Sequence, residues 1–197
     1  MTDPLAGAFL GLRTLIVGDA GVGKTALTAA ILEALVARTG TEGVVVLDMA
    51  PERLGVGLAL ARFTGVVKRV AYLRPPGLRA PRLEGQSANE VKALAEHNRA
   101  IIEPLLERCA DLRPRILAVN DLSLYLQAGD PERLLKCIRA AGTFLGNAYY
   151  GGRLAEDRGS GVSEREREGV RVLMRTMNRI VTVSLRGFGM SASPVRM

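Results

Sequence analysis

Residues 18–25 read G-D-A-G-V-G-K-T and match the pattern G-x-x-x-x-G-K-S/T. In such a loop the backbone N–H groups turn inward around an anion, which residues without a bulky side chain tolerate best. Gly18, Gly21 and Gly23 therefore have a steric reason to be glycine. Lys24 is placed to reach the β and γ phosphates of a nucleotide, and the Thr25 hydroxyl is placed to ligate Mg²⁺.

The residues on either side of this loop fit a strand and a helix. Residues 14–17 read as a short buried strand, and apolar residues recur at helical spacing until Gly40. The positive end of that helix would add to phosphate binding. In this loop and its context the chain resembles the P-loop NTPase superfamily. The resemblance implies binding of a nucleoside triphosphate with Mg²⁺ by Gly18, Asp19, Ala20, Gly21, Val22, Gly23, Lys24, Thr25 and Ala26.

Length and composition favour one cytoplasmic domain. The 197 residues are 48% hydrophobic, which suits a single domain over 1–197. The sequence has no apolar run long enough to span a membrane, and its start, M-T-D-P, lacks the basic region of a signal peptide. Cys109 and Cys137 fall within apolar helical patterns and are interpreted as buried side chains without a disulfide or metal role.

The chain is basic, with 27 Lys and Arg against 20 Asp and Glu. Only four of these basic residues are lysines, namely Lys24, Lys68, Lys92 and Lys136, and all the others are arginines. The planar guanidinium group of arginine suits the recognition of phosphate. A positive field attracts nucleotides or nucleic acids. Aromatic residues make up only 4% of the chain, so stacking on single-stranded nucleic acid is poorly supported, although binding to its backbone through arginine stays open.

Apolar runs at 44–47 and 116–119 predict strands buried on both faces, with further strands over 69–73, 143–149 and 180–185. Helices are predicted to begin after Ser87, Asp130 and Ser163, each of which provides a capping side chain. Alternating strands and helices predict an α/β fold, a three-layer α/β/α sandwich around a mostly parallel sheet.

Other segments are less regular. Residues 51–63 show helical spacing around Leu54 and Leu58 that Gly55 and Gly57 weaken, and residues 74–86 and 151–161 are loops by composition. The E-R-E-R-E run over 164–168 is interpreted as the solvated first turn of a helix. The single histidine, His97, is assigned to the surface of the long helix.

Two acidic residues that follow apolar strands are candidates to hold the magnesium shell or to act in catalysis. Asp121, after I-L-A-V-N, resembles the strand-end acid of the Walker B motif. Asp48, after V-V-V-L, resembles the early strand-end acid of the P-loop branch that contains signal-recognition GTPases and MinD-like ATPases, although Asp19 stands where MinD-like loops have a lysine. With Lys24 and Thr25, these acids form the predicted catalytic and metal-binding set.

The nucleotide base is predicted from weaker signals. Guanine-specific members of the superfamily typically carry Asn/Thr-Lys-x-Asp, which is absent, so ATP is favoured over GTP. Asn147 would either contact a base or only end a strand. Tyr149 and Tyr150 would either stack on a ring or line the edge of the core.

Three functions follow from these residues. ATP hydrolysis needs only the loop, the metal and the strand-end acid. A small-molecule kinase would use Arg153 and Arg158 in a lid over 151–161, with Arg74, Arg79 and Arg82 holding a phosphorylated acceptor. A non-hydrolysing ATP sensor would bind nucleic acid or another protein. Because many proteins with this loop take an arginine from a second chain, a protein partner or homo-oligomer is also expected.

Overall fold

Seven strands form the centre of the protein, for which a computed structural model describes residues 4–53, 55–154, 156–185 and 187–192. In chain order the strands are β1 (Arg13–Gly18), β2 (Val44–Asp48), β3 (Ala71–Leu73), β4 (Ile116–Asn120), β5 (Thr143–Tyr149), β6 (Arg179–Ser184) and β7 (Gly187–Ala192). They lie in one sheet in the order β3-β2-β4-β5-β1-β6-β7. Strands β1 to β6 run parallel, and β7 pairs antiparallel with β6.

The helices are α1 (Pro4–Phe9), α2 (Lys24–Thr39), α3 (Pro81–Glu84), α4 (Ala88–Leu112), α5 (Ser123–Leu126), α6 (Pro131–Ala140) and α7 (Val162–Met174). Two short 3-10 helices lie at Leu60–Arg62 and Val66–Lys68. Among the residues that the structure describes, no helix has both the length and the apolar composition to cross a membrane.

Side chains alternate between the two faces of the sheet, and each face is covered by helices. On one face, strand residues such as Leu15 and Leu117 pack with apolar residues of α4, α5, α6 and α7. On the other face, Ile16 and Ile116 pack with α1, α2 and the 3-10 segments. All five residues of β2 and of β4 are buried, as expected for strands covered on both sides. The predicted three-layer α/β/α sandwich is confirmed.

Two of the predicted helix starts are confirmed. The Ser87 hydroxyl accepts a hydrogen bond from the Glu90 N–H at 3.3 Å, and Asp130 Oδ1 accepts one from the Glu132 N–H at 2.9 Å. The third start is different, because α7 begins after Gly161, which has a left-handed backbone with φ 80°, rather than after Ser163.

The segment after β2 departs most from its predicted form. Instead of an α-helix over 51–63, Arg53 and Val56 form an isolated antiparallel bridge and a 3-10 helix follows. Leu54, on which the helical pattern partly depended, lies outside the described residues. Gly57 has φ 66°, and a Cβ there would come within 2.4 Å of the Pro51 ring. The turn at this position therefore requires glycine, and its left-handed backbone is incompatible with an α-helix.

Candidate functional site

The 18–25 segment joins the end of β1 to the start of α2, at the carboxyl edge of the parallel strands. Gly21 and Gly23 have φ 75° and 94°, in the left-handed region that favours glycine. Gly18 is required for another reason, since a Cβ there would lie 2.3 Å from the Val183 carbonyl oxygen on β6. All three positions therefore require glycine, Gly21 and Gly23 for their backbone conformation and Gly18 for its close contact with β6.

Lys24 lies at the first turn of α2 and folds back over this loop. Its Nζ donates to the Asp19 carbonyl oxygen at 2.6 Å and lies 6.0 Å from the centre of the Tyr149 ring. Burial lowers the pKa of the Lys24 ammonium, while the carboxylates of Asp121, Asp19 and Glu166 oppose that shift. The ammonium is thus held against the loop, with acidic side chains near it.

Asp121 follows β4 and lines the same cavity as Lys24 and Thr25. Its backbone has φ 56°, and its N–H donates to Asn147 Oδ1 at 3.0 Å. The Ser123 hydroxyl donates to Asp121 Oδ1 at 3.1 Å. Burial raises the pKa of the Asp121 carboxyl, and the nearby Lys24 ammonium partly counteracts this rise. Asn120 is the last residue of β4, so Asp121 lies one residue beyond the strand end. The left-handed turn at Asp121 nevertheless places it on the cavity that the phosphate loop also lines.

Asp48 occupies a different environment, fully buried at the end of β2. Its Oδ1 accepts from Asn120 Nδ2 at 2.8 Å and from the Ala50 N–H at 3.2 Å. Its Oδ2 accepts from the Leu60 N–H at 2.7 Å and from the Tyr72 hydroxyl at 2.8 Å. Both oxygens are thus engaged by protein donors, and Asp48 is not among the residues that line the cavity beside Lys24.

Two asparagines connect Asp48 to the phosphate-loop helix. Asn147 Nδ2 donates to Asn120 Oδ1 at 2.8 Å and to the Thr28 hydroxyl at 2.9 Å. Asn120 also donates to the Leu58 carbonyl oxygen at 3.0 Å. Both Asn147 amide hydrogens are therefore used inside the protein. The role of Asn120 was missed at the sequence level, where the only signal was a polar residue ending an apolar strand.

The loop after β5 contacts the phosphate loop through Asp19. Its carboxylate accepts from the N–H groups of Gly152 and Arg153, both at 3.3 Å, and from its neighbour Ala20 at 2.7 Å. Burial alone would raise the pKa of Asp19, but these N–H donors hold it below its ordinary value. The Arg153 guanidinium lies 3.4 Å from the Ala20 carbonyl oxygen, whereas Arg158 donates to Gly85. Of the two proposed lid arginines, Arg153 is the one that lines the cavity.

The arginines of the loop after β3 have separate partners. Arg74 pairs with Glu52 at 2.8 Å, and Arg79 pairs with Glu84 at 2.6 Å.

Arg82 instead forms an ion pair with Glu166 in which both side chains are almost completely buried, and its guanidinium lies 5.2 Å from the centre of the Tyr149 ring. Burial raises the pKa of the Glu166 carboxyl, and Arg82 opposes that rise. Glu166 is therefore part of the site, and the interpretation of 164–168 as fully solvated was wrong at this position.

A cavity of about 610 Å³ opens onto these groups, a size typical of ligand sites. It begins at the phosphate loop and crosses the ends of β5 and β4 toward the loops that follow β2 and β3. Tyr149 lines it, with its hydroxyl accepting from the Leu154 N–H at 2.8 Å. Tyr150 lies outside this cavity, where the Arg171 Nε donates to its hydroxyl at 3.3 Å.

The residues present fit a magnesium–nucleotide complex. Within the described parts of the chain no cluster of three or more His, Cys, Asp or Glu side chains forms a metal cage. Mg²⁺ bound with a nucleotide takes most of its ligands from phosphates and water and only one or two from the protein. Thr25 and Asp121 are two side chains with oxygen donors of that kind, and both line the cavity beside Lys24.

Comparisons with known proteins add evidence on the fold. No protein-family model matches the sequence, and no curated protein matches it. Among solved structures, the chain is similar to the flagellar accessory protein FlaH from Methanocaldococcus jannaschii, with a TM-score of 0.53 and 9% sequence identity over 92% of this chain and 76% of that one. The two proteins share a fold. Identity this low leaves the chemistry to be argued from the site itself.

We expect Asp48→Ala to lower the free energy of unfolding by about 3 to 5 kcal/mol, because three buried donors and the half-buried Tyr72 hydroxyl lose their acceptor at once. Asp121→Asn is the matched control, with an expected change within about 1 kcal/mol, since asparagine tolerates φ 56° and keeps an oxygen for Ser123. Urea denaturation measures both. Equal losses in the two variants would contradict the different roles assigned to these acids.

Proposed function

We propose that the protein binds Mg²⁺–ATP at the 18–25 loop and hydrolyses it. The observation that carries this proposal is the convergence of Lys24, Thr25 and Asp121 on one cavity beside a glycine loop at the start of a helix. Those groups provide a cation, a hydroxyl and a carboxylate next to backbone N–H donors. Groups of these types stabilise the charge on a phosphoryl group during its transfer, and the protein needs to supply little covalent chemistry.

In this proposal Lys24 leaves the Asp19 carbonyl oxygen to contact the β and γ phosphates. The loop N–H groups and the first turn of α2 hold the remaining phosphate charge. Thr25 and Asp121 would hold Mg²⁺, which when bound neutralises charge on the β and γ oxygens.

Burial raises the pKa of the Asp121 carboxyl, and bound Mg²⁺ would oppose that rise and keep the group ionised as a metal ligand. Asp48 then acts as a positioning residue, because it fixes the loop after β2 and the Asn120 side chain.

The decisive experiment measures Mg²⁺–ATP affinity and phosphate release in Lys24→Ala and Asp121→Asn. Lys24→Ala should weaken ATP binding by about a hundredfold, because it removes the ammonium that meets the phosphates. Asp121→Asn should leave the affinity for metal-free ATP, measured in a chelator, within about threefold but reduce Mg²⁺-dependent turnover by at least about a hundredfold, because the carboxylate would hold the metal.

Lys92→Ala, on the exposed side of α4, is the control for lost positive charge and should match the wild type. Chelating Mg²⁺ should stop turnover in every variant. Wild-type affinity in Lys24→Ala would refute nucleotide binding at this loop. Unchanged turnover in Asp121→Asn would remove that residue from the mechanism.

Transfer of the phosphoryl group to a small molecule is a second candidate function. The contact between Asp19 and the N–H groups of Gly152 and Arg153 favours it, because it holds part of the predicted lid against the phosphate loop. In such a reaction Arg153 would neutralise charge on the group being transferred. The other loop arginines contribute less, since Arg74 and Arg79 already pair with acids.

We expect Arg153→Ala to reduce ATP turnover by about tenfold to a hundredfold, because a cation next to the phosphate loop is lost. Arg158→Ala is the matched control from the same loop and should retain wild-type turnover, since its guanidinium bonds to Gly85 instead. Steady-state assays that follow ADP and free phosphate together provide the measurement. Equal rates in the two variants would exclude a role for Arg153 as a lid residue.

A further inference from the structure

The cavity extends well beyond the residues that would hold phosphate. Its far wall comes from the loops after β2 and β3 and contains Val56, Leu58, Phe63 and Leu83, which together define the apolar compartment. Leu58 is 36% exposed and Phe63 is 39% exposed, so both present apolar surface to water in the open cavity. Covering them with an apolar ligand would remove that surface from water and favour binding.

One buried polar atom at the cavity has no partner. Gln127 lines the cavity and is only 3% exposed. Its Nε2 donates to Glu166 Oε1 at 3.3 Å, but its Oε1 accepts no hydrogen bond from the described residues. A buried carbonyl oxygen without a donor is costly, and each such group in a folded protein needs an explanation. A ligand that donates one hydrogen bond would satisfy this oxygen, which is itself buried, after a rotation of the Gln127 side chain toward the cavity.

Charges around the compartment argue against an anionic ligand. Arg82 and Glu166 line the cavity but neutralise each other in their buried ion pair. Arg74 and Arg79, predicted at the sequence level to hold a phosphorylated acceptor, pair with Glu52 and Glu84. A charged ligand would have to break one of these pairs or enter unpaired, which is unfavourable in a largely apolar space.

The nucleotide itself should leave the compartment free. This step rests on the proposed function, in which Thr25 and Asp121 hold a metal that bridges the two terminal phosphates. The terminal phosphate then lies toward Asp121 at the end of β4, and the nucleoside extends away from β4. The apolar compartment lies on the opposite side, beyond Asp121 and toward β2.

We propose that the apolar compartment binds a second small molecule that is uncharged, largely apolar and carries one hydrogen-bond donor, such as a hydroxyl group, which Gln127 Oε1 accepts. Its place next to Asp121 would bring that donor group to the side of the cavity where the terminal phosphate lies. The compartment thus provides the acceptor class for the phosphoryl-transfer function, as an apolar alcohol in place of a phosphorylated compound. The alcohol oxygen would bond to the γ phosphorus as the bond from that phosphorus to the β–γ bridging oxygen breaks, which leaves ADP, and the alcohol proton would pass to an oxygen of the transferred phosphoryl group.

Two neutral fluorescent probes test this site in the full-length protein without nucleotide. N-phenyl-1-naphthylamine carries one N–H donor, and 1-phenylnaphthalene has a similar ring system without it. The wild type should bind one N-phenyl-1-naphthylamine per chain. Leu58→Ser and Phe63→Ser should each weaken binding by about tenfold, because each removes apolar contact area. Leu112→Ser is the control, since Leu112 is 49% exposed on α4 and lies outside the cavity.

Gln127→Met tests the hydrogen bond separately from the apolar contacts. The wild type should prefer the donor-bearing probe by a few-fold, and the variant should bind both probes equally. Protein saturated with Mg²⁺–ADP should still bind the probe, with a dissociation constant within about threefold.

Absence of saturable binding, equal weakening in Leu112→Ser, or displacement of the probe by adenosine would each overturn the proposal, the last by assigning the compartment to the base. Because the first titrations contain no nucleotide, a failure of ATP binding at Lys24 would be seen separately from a failure of this site.

Discussion

A buried chain of hydrogen bonds along the carboxyl edge of the sheet underlies the site. It runs from Asp48 through Asn120 and Asn147 to the Thr28 hydroxyl on α2, and so ties β2, β4 and β5 to the helix that begins at Lys24. The same Asn147 accepts the backbone N–H after β4, which fixes the left-handed turn at Asp121. A connected network of buried hydrogen bonds favours a single conformation of these side chains, because loss of any one member leaves other buried polar groups without a partner.

The phosphate loop and the fold could be predicted from local patterns. Glycine at 18, 21 and 23 is required by backbone geometry that a short segment determines by itself, and uniformly apolar strands such as 44–47 indicate burial on both faces. Strand β7 at the edge of the sheet gave no such signal, because Gly187 and Gly189 interrupt any apolar pattern in that segment.

The roles of the two acids depend on contacts that are distant in the sequence. Asp48 and Asp121 both follow apolar strands and are equivalent as patterns. They differ because Leu60 and Tyr72, which lie 12 and 24 residues after Asp48, bring donors to its carboxylate. The pairing of Arg82 with Glu166, 84 residues apart, was hidden for the same reason. By composition alone, Arg82 and Glu166 belong to two separate surface segments. In the folded protein they are neighbours in the cavity wall.

The hydrogen bonds of Asp19 connect the phosphate loop to a helix on the protein surface. Its carboxylate bridges the N–H groups of the phosphate loop and of the loop after β5, and the Gly151 carbonyl oxygen in that second loop accepts from Arg167 on α7 at 2.9 Å. Movement of Asp19 when Lys24 releases its carbonyl oxygen would therefore be passed by two contacts to a helix on the surface. Under the proposed function, the surface of α7 would therefore differ between the nucleotide-free and the nucleotide-bound protein.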